Sequence, residues 1–238
     1  MTPFPPPSGR LARLDPAFAT SNALFLFVTL LVMAVSAVFY AYPGIDLTVS
    51  AWFYEADEGF TLQTSAPLVA LRTSGEWLMR AVALLALVEI ARRAWAQRPS
   101  RGPLWLLACL LVGPGLLVNG ILKAYWGRPR PRQTDIFGGE APYQKVWIVS
   151  DWCEQNCSFV SGEASSAFWL VALALLTPGP YRTPVTALAT IYAAAVSLNR
   201  VAFGGHYLSD VVLAWLLCAL VFLALARLIL MPSAEKAE

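Results

Sequence analysis

Residues 200–230 read RVAFGGHYLSDVVLAWLLCALVFLALARLIL, a short polar loop that runs directly into a long apolar segment. The loop contains His206, which is the only histidine in the 238-residue chain. Asp210 stands four residues after it, one helical turn away, and Arg200 stands six residues before it. A helix needs about 20 predominantly apolar residues to cross a bilayer, so the stretch predicts a membrane helix that begins beside a group of reactive side chains.

The composition of the whole chain indicates an integral membrane protein. Hydrophobic residues make up 58% of it and charged residues 13%, and the mean hydropathy is +0.58. Soluble domains carry about 25% charged residues. The low charge content therefore argues against an ordinary water-soluble core.

Six apolar runs alternate with polar segments. They cover residues 23–40, 76–94, 104–125, 161–176, 185–198 and 210–230. The second is weak because it carries Arg80 and Glu89, and a Gly-Pro-Gly sequence at 113–115 interrupts the third. The fourth and fifth are shorter than a spanning helix, so we expect both helices to extend past these limits. The fold class that we predict is all-α: a polytopic membrane protein with six transmembrane helices in one bundle.

Two tails flank this predicted bundle. We expect a basic, proline-rich cytoplasmic tail at 1–22, a membrane domain at 23–231 and a short cytoplasmic tail at 232–238. A signal peptide is an alternative for the first run, because small residues occur at 34–37. The length of the run and of its polar leader favours an uncleaved spanning helix.

The distribution of charge predicts the orientation. Residues 91–102 carry four arginines and no acidic residue, and positive loops concentrate on the cytoplasmic side. By alternation both termini are then cytoplasmic, and the outer side receives residues 41–65, residues 126–158 and the loop around His206. Residues 41–65 are acidic and aromatic, so we expect an external loop with an interfacial aromatic patch.

A group of cations lies on this outer side, against the usual charge bias. It comprises Lys123, Arg128, Arg130, Arg132 and Lys145. One interpretation is contact with lipid headgroups. The other, which we favour, is that these cations bind an anion at the membrane surface.

The outer ends of the last four runs together present the groups of a phosphoryl-transfer site. Lys123, Arg130 and Arg200 can surround a phosphate, since arginine offers a planar fork to its oxygens. Ser161 and Gly162 open the fourth helix, where backbone N–H groups favour anions.

His206 supplies the nucleophile of this predicted site. It would attack phosphorus to form a phosphohistidine, which water would then hydrolyse. Asp210 would bond the other ring nitrogen, which fixes the tautomer and stabilises the developing positive charge.

This order of motifs resembles the type 2 phosphatidic acid phosphatase superfamily of membrane lipid phosphatases. Its three motifs are matched by Lys123, Arg130 and Pro131, then by Ser161 and Gly162, then by Arg200, His206 and Asp210. The resemblance covers residues 23–230 and implies a six-helix, metal-independent phosphatase with no cofactor and an active site at the outer-face helix ends. It also implies phosphate binding by Lys123, Arg130, Ser161, Gly162 and Arg200, with His206 as nucleophile.

One departure from the family pattern affects the chemistry. Glu163 stands where the family has a histidine that is taken to protonate the leaving oxygen. Glu163 can act as this catalytic acid only if its pKa is raised by desolvation or by a nearby negative charge. The alternatives are a substrate with a good leaving group, such as a diphosphate or an anomeric sugar phosphate, or impaired catalysis.

The four cysteines allow no zinc framework, and we expect no metal site. Cys109 and Cys218 fall within apolar runs and are expected to be buried. Cys153 and Cys157 precede Ser161 on the outer side, where a periplasm permits a disulfide. Such a bond would clamp the loop that delivers Ser161.

We therefore expect a phosphatase that acts on a lipid phosphate in a bacterial inner membrane, at the periplasmic face. By family analogy the candidate substrates are lipid A phosphates, undecaprenyl diphosphate, phosphatidylglycerophosphate and phosphatidic acid. A lipid-to-lipid phosphotransferase is one alternative, and a non-catalytic protein that binds lipid phosphates is another. The expected partners are the lipid substrate and the bilayer, with no nucleic acid, and the sequence indicates no oligomeric state.

Overall fold

The computed structural model describes residues 21–177 and 179–230, which form an all-helical protein without a β-strand in those ranges. Seven helices of at least eight residues occur there. They are α1 (Asn22–Ala41), α2 (Gly44–Ala51), α3 (Ala66–Trp95), α4 (Arg101–Tyr125), α5 (Gly162–Leu175), α6 (Gly179–Ala202) and α7 (Leu208–Leu230). The all-α class is confirmed. The predicted tails fall almost entirely on residues 1–20 and 231–238, which lie outside the described residues.

Four of these helices are long and apolar enough to cross a membrane: α1, α4, α6 and α7. The 30-residue helix α3 is long enough, but it carries charges along much of its length, beginning with Arg72, Glu76 and Arg80. Helix α5 has only 14 residues, or about 21 Å at 1.5 Å per residue. The expectation that this fourth helix extends past its apolar run is therefore wrong, whereas α6 does extend.

The Gly-Pro-Gly sequence does not interrupt α4. The helix instead widens into a π-helix over Leu111–Leu122 and returns to α-helix at Lys123–Tyr125. The Asn119 amide donates a hydrogen bond to the Pro114 carbonyl oxygen at 2.6 Å. At Gly113 an added Cβ would lie 3.1 Å from the Phe222 ring, so the missing side chain lets α4 approach α7 closely.

The core lies around α7, which packs against α1, α4 and α5. Two buried tryptophans link these helices through their indole N–H groups. Trp105 donates to the Phe222 carbonyl oxygen at 3.1 Å, and Trp169 donates to the Leu106 carbonyl oxygen at 2.8 Å. Buried indole groups normally find such a partner, so both bonds fix how the helices pack.

Residues 126–160 fold over one end of the bundle. They contain two 3₁₀ turns, Pro131–Gln133 and Asp135–Phe137, and the Arg132 backbone N–H donates to the Gly204 carbonyl oxygen at 3.2 Å. The Ser158 N–H donates to the Arg128 carbonyl oxygen at 2.8 Å. This segment therefore packs directly on the loop that carries the histidine.

The stretch 41–65, predicted as an external loop, is partly helical and partly buried. Trp52 is 71% exposed, which suits the predicted aromatic patch, but Asp46 is fully buried. Asp46 belongs to α2, and this helix packs against α6 and α7. The interpretation of every acidic residue in this stretch as an external charge is therefore wrong for Asp46.

We predict that Trp169→Phe lowers the melting temperature of detergent-solubilised protein by about 2–4 °C, because it removes one buried hydrogen bond of about 1 kcal/mol. Trp95 is 93% exposed, so Trp95→Phe serves as the matched control and should leave the melting temperature unchanged. An equal shift in both variants would contradict a specific role for the Trp169 bond.

Candidate active site

The histidine loop is shaped by two consecutive glycines. Helix α6 ends at Ala202, and Gly204 follows with φ +57, a conformation that L side chains rarely adopt. An added Cβ at Gly204 would lie 2.5 Å from the Phe60 ring, and one at Gly205 would lie 2.6 Å from Arg200 Nη2. The glycines therefore let the loop turn sharply against the guanidinium of Arg200.

The same turn is closed by backbone hydrogen bonds. The N–H groups of Gly205 and His206 both donate to the Arg200 carbonyl oxygen, at 3.1 and 3.3 Å. The predicted nucleophile and the predicted phosphate ligand are therefore held together by the main chain.

The imidazole of His206 is buried, with 1% exposure. Its Nδ1 lies 2.8 Å from the Ser158 carbonyl oxygen, and its distance to Asp210 Oδ2 is 3.8 Å. A carbonyl oxygen only accepts, so Nδ1–H donates to Ser158, which leaves Nε2 as the ring nitrogen with a free electron pair. The direct bond to Asp210 expected from the sequence is replaced by a bond to a backbone carbonyl.

His206 remains neutral in this setting. Burial lowers the pKa of its imidazole to about 4, and the positive charges of Arg200 and Lys123 act in the same direction. The carboxylate of Asp210 offsets part of this effect. A neutral imidazole with an open Nε2 is the form that a nucleophile requires.

Asp210 acts on His206 through its neighbours. Its Oδ2 accepts from Ser158 Oγ at 2.5 Å and from the Tyr207 backbone N–H at 2.9 Å, and its Oδ1 accepts from Arg128 at 2.6 Å. Ser158 thus donates to Asp210 and accepts from His206. The aspartate fixes the serine, and the serine fixes the ring.

Arg128 is fully buried between two carboxylates. Its Nη1 lies 2.6 Å from Asp210 Oδ1, and its Nη2 lies 2.8 Å from Asp46 Oδ2. Nε donates to the Gln144 carbonyl oxygen at 2.9 Å, and the guanidinium lies 4.2 Å from the centre of the Tyr207 ring. The assignment of Arg128 to the anion-binding cations of the outer face is therefore wrong.

Asp46 completes this network from α2. Its Oδ1 accepts from the Ser209 backbone N–H at 2.9 Å, and its Oδ2 accepts from Ser209 Oγ at 2.5 Å. Burial raises the pKa of Asp46, and the charge of Arg128 opposes that effect. Burial would lower the pKa of Arg128, but Asp210 and Asp46 raise it above its ordinary value. The arginine therefore stays charged.

The three predicted phosphate cations interact electrostatically with one another, and two of them, Arg200 and Lys123, also act on His206. Arg200 is 3% exposed and Arg130 is 9% exposed, and Arg130 Nη2 donates to the Asn156 carbonyl oxygen at 2.7 Å. Burial lowers the pKa of Arg130, and the charge of Arg132 adds to this effect. Lys123 is half-buried and forms no ion pair within the described ranges.

Ser161 and Gly162 stand at the start of α5, as predicted, but their backbone N–H groups differ in whether they already have a partner. Ser161 Oγ caps the helix by accepting from the Ala164 N–H at 3.3 Å, and the Ser161 N–H donates to the Asp210 carbonyl oxygen at 3.1 Å. An added Cβ at Gly162 would lie 2.5 Å from Asn119 Oδ1. Of the two N–H groups predicted to bind an anion, the one on Ser161 is already occupied.

Glu163 is held between two arginines. Both of its carboxylate oxygens lie 3.1 Å from Arg72 Nε, and Oε1 lies 3.0 Å from Arg72 Nη2. Oε2 also lies 3.0 Å from Arg200 Nε. Arg72, Glu76 and Arg80 are spaced four residues apart along α3, but of these three only Glu76 and Arg80 pair with each other, at 3.4 Å.

A cavity of about 320 Å³ lies beside Glu163. Helices α3, α4, α5 and α6 line it with Arg72, Gly75, Glu76, Met79, Arg80, Asn119, Lys123, Gly162, Glu163, Ser166, Ala167 and Val196. Polar and ionisable side chains are thus interspersed with apolar ones in this lining. Polar and ionisable groups at such a position normally face water or a ligand.

Cys153 and Cys157 are joined by a disulfide, with their Cα atoms 5.7 Å apart. Cys157 directly precedes Ser158, so the bond closes a short loop next to the serine that holds the histidine. Cys109 and Cys218 are free and buried. Within residues 21–177 and 179–230 no group of three or more histidine, cysteine, aspartate or glutamate side chains is placed to hold a metal ion.

Sequence reasoning missed four residues of the site: Asp46, Arg72, Arg128 and Ser158. Asp46 and Arg128 were visible only as charges in polar segments. Arg72 carried a usable signal, since an arginine near an apolar helix needs a partner. Ser158 lies three residues before Ser161, but its role depends on its carbonyl oxygen, which any residue type supplies.

We predict that Arg128→Met destabilises the protein by about 3–5 kcal/mol, because it leaves two carboxylates buried without a counter-charge. The melting temperature in detergent should fall by roughly 10 °C. Arg98 is exposed, so Arg98→Met is the matched control and should change it little. Equal stability of the two variants would show that the Arg128 network is not needed for the fold.

Known proteins are similar to this chain over most of its length. Residues 102–232 match the PAP2 superfamily model. The lipid A 4'-phosphatase of Rhizobium leguminosarum is 41% identical over 213 residues, which cover 82% of this chain and 91% of that protein. The lipid A 4'-phosphatase of Rhizobium etli is 39% identical, with 88% of each chain covered.

The fold also has a solved counterpart. A crystal structure of a transmembrane PAP2 type phosphatidylglycerolphosphate phosphatase from Bacillus subtilis superposes with a TM-score of 0.58 and 19% identity, covering 90% of this chain and 97% of that one. At this identity the likeness concerns the fold alone. Together with the family match and the Rhizobium relatives, it confirms the resemblance expected from the motifs: the chain belongs to the PAP2 superfamily and is a multi-pass membrane phosphatase.

Proposed function

We propose that this membrane phosphatase removes the 4'-phosphate of lipid A, or of a closely related glycolipid, through a phosphohistidine on His206. The substrate is proposed from the two Rhizobium relatives, which are about 40% identical over most of the chain. One observation carries the mechanism: the buried His206 is bonded through Nδ1 to the Ser158 carbonyl oxygen, so Nε2 is open.

The first step transfers the phosphoryl group to the enzyme. Nε2 of His206 attacks phosphorus, the bond between phosphorus and the lipid oxygen breaks, and that oxygen takes a proton from water. The imidazole becomes positively charged as the new N–P bond forms. Asp210, at 3.8 Å from Nδ1, stabilises this charge without itself taking the proton.

The second step regenerates the histidine. A water molecule attacks phosphorus, the N–P bond breaks, and inorganic phosphate leaves with the water oxygen, while the proton that this water loses neutralises the hydroxide left by the first step. The cavity beside Glu163 is also lined by Lys123, and we propose that water reaches phosphorus from this cavity. The charge on phosphate oxygens is stabilised throughout by Lys123, Arg130 and Arg200, which act as fixed positive groups.

The proposed reaction uses only side chains of the protein. The nucleophile is an imidazole, and the role that a metal ion often plays in phosphoryl transfer is assigned to three cations of the protein. We therefore propose that the reaction is metal-independent and continues in the presence of a chelator.

The proposed setting is a bacterial inner membrane crossed six times, by α3 and α5 in addition to the four apolar helices. The arginines at the end of α3 and in the following loop support a cytoplasmic location for that end. Both termini are then cytoplasmic. The active site, at the opposite ends of α4 to α7, then faces the periplasm, where the Cys153–Cys157 disulfide can persist.

The other candidate functions are distinguished by their products. Undecaprenyl diphosphate, phosphatidylglycerophosphate and phosphatidic acid remain alternative substrates. A phosphotransferase would pass the group from the phosphohistidine to a second lipid and release little inorganic phosphate. A non-catalytic protein would bind lipid phosphate and release none.

We predict that purified protein releases inorganic phosphate from lipid A in detergent micelles containing EDTA, faster than from the three other lipids. His206→Ala should lower the rate at least about 1,000-fold, as removal of a covalent nucleophile does, while Arg98→Ala should retain it. Equal rates in wild type and His206→Ala would disprove the role of His206 as nucleophile. No release from any of the four lipids would disprove the proposed hydrolase activity.

The single histidine also permits a direct titration. With ¹⁵N-labelled histidine, one imidazole is observed by NMR, and we predict that it titrates with a midpoint near pH 4, because burial lowers its pKa to about 4. The neutral form should therefore persist unchanged from pH 8 down to about pH 5. A midpoint near the ordinary value of about 6.5 would show that the imidazole is not desolvated.

A further inference from the structure

Glu163 occupies the position that a proton-donating histidine has in the family pattern, but its contacts are those of an anchor. Its carboxylate faces the guanidinium groups of Arg72 and Arg200 at 3.0–3.1 Å. Two adjacent cations stabilise a carboxylate and make it a poor proton donor. The role of general acid expected from sequence requires the opposite surroundings.

The pair with Arg200 determines how this guanidinium sits. Glu163 Oε2 lies 3.0 Å from its Nε and forms an ion pair with the guanidinium, although the angle does not meet that of a hydrogen bond, and the close approach of Gly205 confines Nη2. The centre of the Phe203 ring lies 5.5 Å from the guanidinium carbon. Because an arginine side chain has many rotamers, these contacts reduce the conformational freedom that would otherwise be lost when phosphate binds.

The pair with Arg72 brings a further helix into the site. Arg72 lies on α3, outside the three motifs that carry the family resemblance, and its side chain is 42% exposed. It lines the cavity together with Lys123 and Glu163. A guanidinium shared between a carboxylate and an open cavity keeps N–H groups available for an anion in that cavity.

We propose that Glu163 is a positioning residue rather than the general acid, and that through it Arg72 of α3 joins Arg200 as a further ligand of the substrate's phosphate. This inference rests on the proposed function. The leaving oxygen then receives no proton from Glu163, so the rate of the first step depends on the leaving group itself and on water.

The two roles of Glu163 predict different kinetics. A positioning role affects binding of the phosphate, which all substrates share, whereas a general acid matters most when the leaving oxygen is strongly basic. Two soluble probes separate these effects: 4-nitrophenyl phosphate, which has a good leaving group, and hexyl phosphate, which has a poor one. Both are assayed with wild type, Glu163→Gln, Arg72→Gln and the double variant.

We predict that Glu163→Gln raises KM about 10- to 100-fold for both probes, as expected for loss of contacts to a charged group, with kcat changed less than about 3-fold. Arg72→Gln should act in the same way. The KM of the double variant should be no higher than that of the worse single variant, because both substitutions disrupt the same Arg72–Glu163 pair. Since Arg72 is half-exposed, Arg72→Gln remains informative if Glu163→Gln folds poorly.

A matched control lies on α3. Glu89 is also paired with two arginines, Arg92 and Arg93, at 2.8 and 2.6 Å, but far along the helix from the site. Glu89→Gln should leave KM and kcat unchanged for both probes. A larger loss of kcat for hexyl phosphate than for 4-nitrophenyl phosphate in Glu163→Gln, by 10-fold or more, would overturn the inference and restore the general acid.

The outcome for His206→Ala separates this inference from the proposed function. If that variant keeps wild-type activity on both probes, the proposed mechanism fails and the positioning role fails with it. If it is inactive while the Glu163 and Arg72 substitutions leave KM unchanged, the mechanism stands and only the positioning role is overturned.

Discussion

The structure depends on one buried arginine shared by two carboxylates. Arg128, Asp46 and Asp210 are all fully buried, and removing charged groups from water costs several kcal/mol per ion unless they are paired and their hydrogen bonds are filled. Backbone and hydroxyl groups of Ser209, together with Ser158, fill those bonds. The network therefore fixes the relative positions of α2, α7 and the segment between α4 and α5, which apolar contacts alone would leave adjustable.

The same network separates two uses of positive charge in a small volume. Arg128 is paired with Asp46 and Asp210, so its charge stabilises the fold. Arg200 pairs instead with Glu163, and the charges of Arg200 and Lys123 both act on the imidazole of His206. If Arg128 were not neutralised locally, it would compete for the phosphate and draw it away from His206, since charges attract at distances well beyond contact in a poorly solvated site. Neighbouring arginines thus differ in role through their partners and not through their residue type.

The sequence was sufficient to predict the helical class and to single out the stretch that holds Arg200, His206 and Asp210, because those properties depend on local composition and spacing. It was insufficient for Asp46 and Arg128, whose burial is decided by how distant segments pack. The Gly-Pro-Gly sequence of α4 predicted a break, but the long-range contact of Gly113 with α7 favours a widened, continuous helix. Glu163 could be identified from the sequence as unusual, but the arginines that determine its chemistry come from two other helices.

The position of Asp46 has a consequence for how the chain is assembled. Its hydrogen-bonded partner Ser209 lies 163 residues later in the sequence, so Asp46 is synthesised long before α7. An isolated carboxylate is unstable in apolar surroundings, and we therefore expect the α2 segment to stay hydrated until Arg128 and the start of α7 are both in place. An incomplete chain has neither a closed network nor a histidine. Completion of the bundle and creation of the catalytic centre are consequently one event in the biogenesis of this protein.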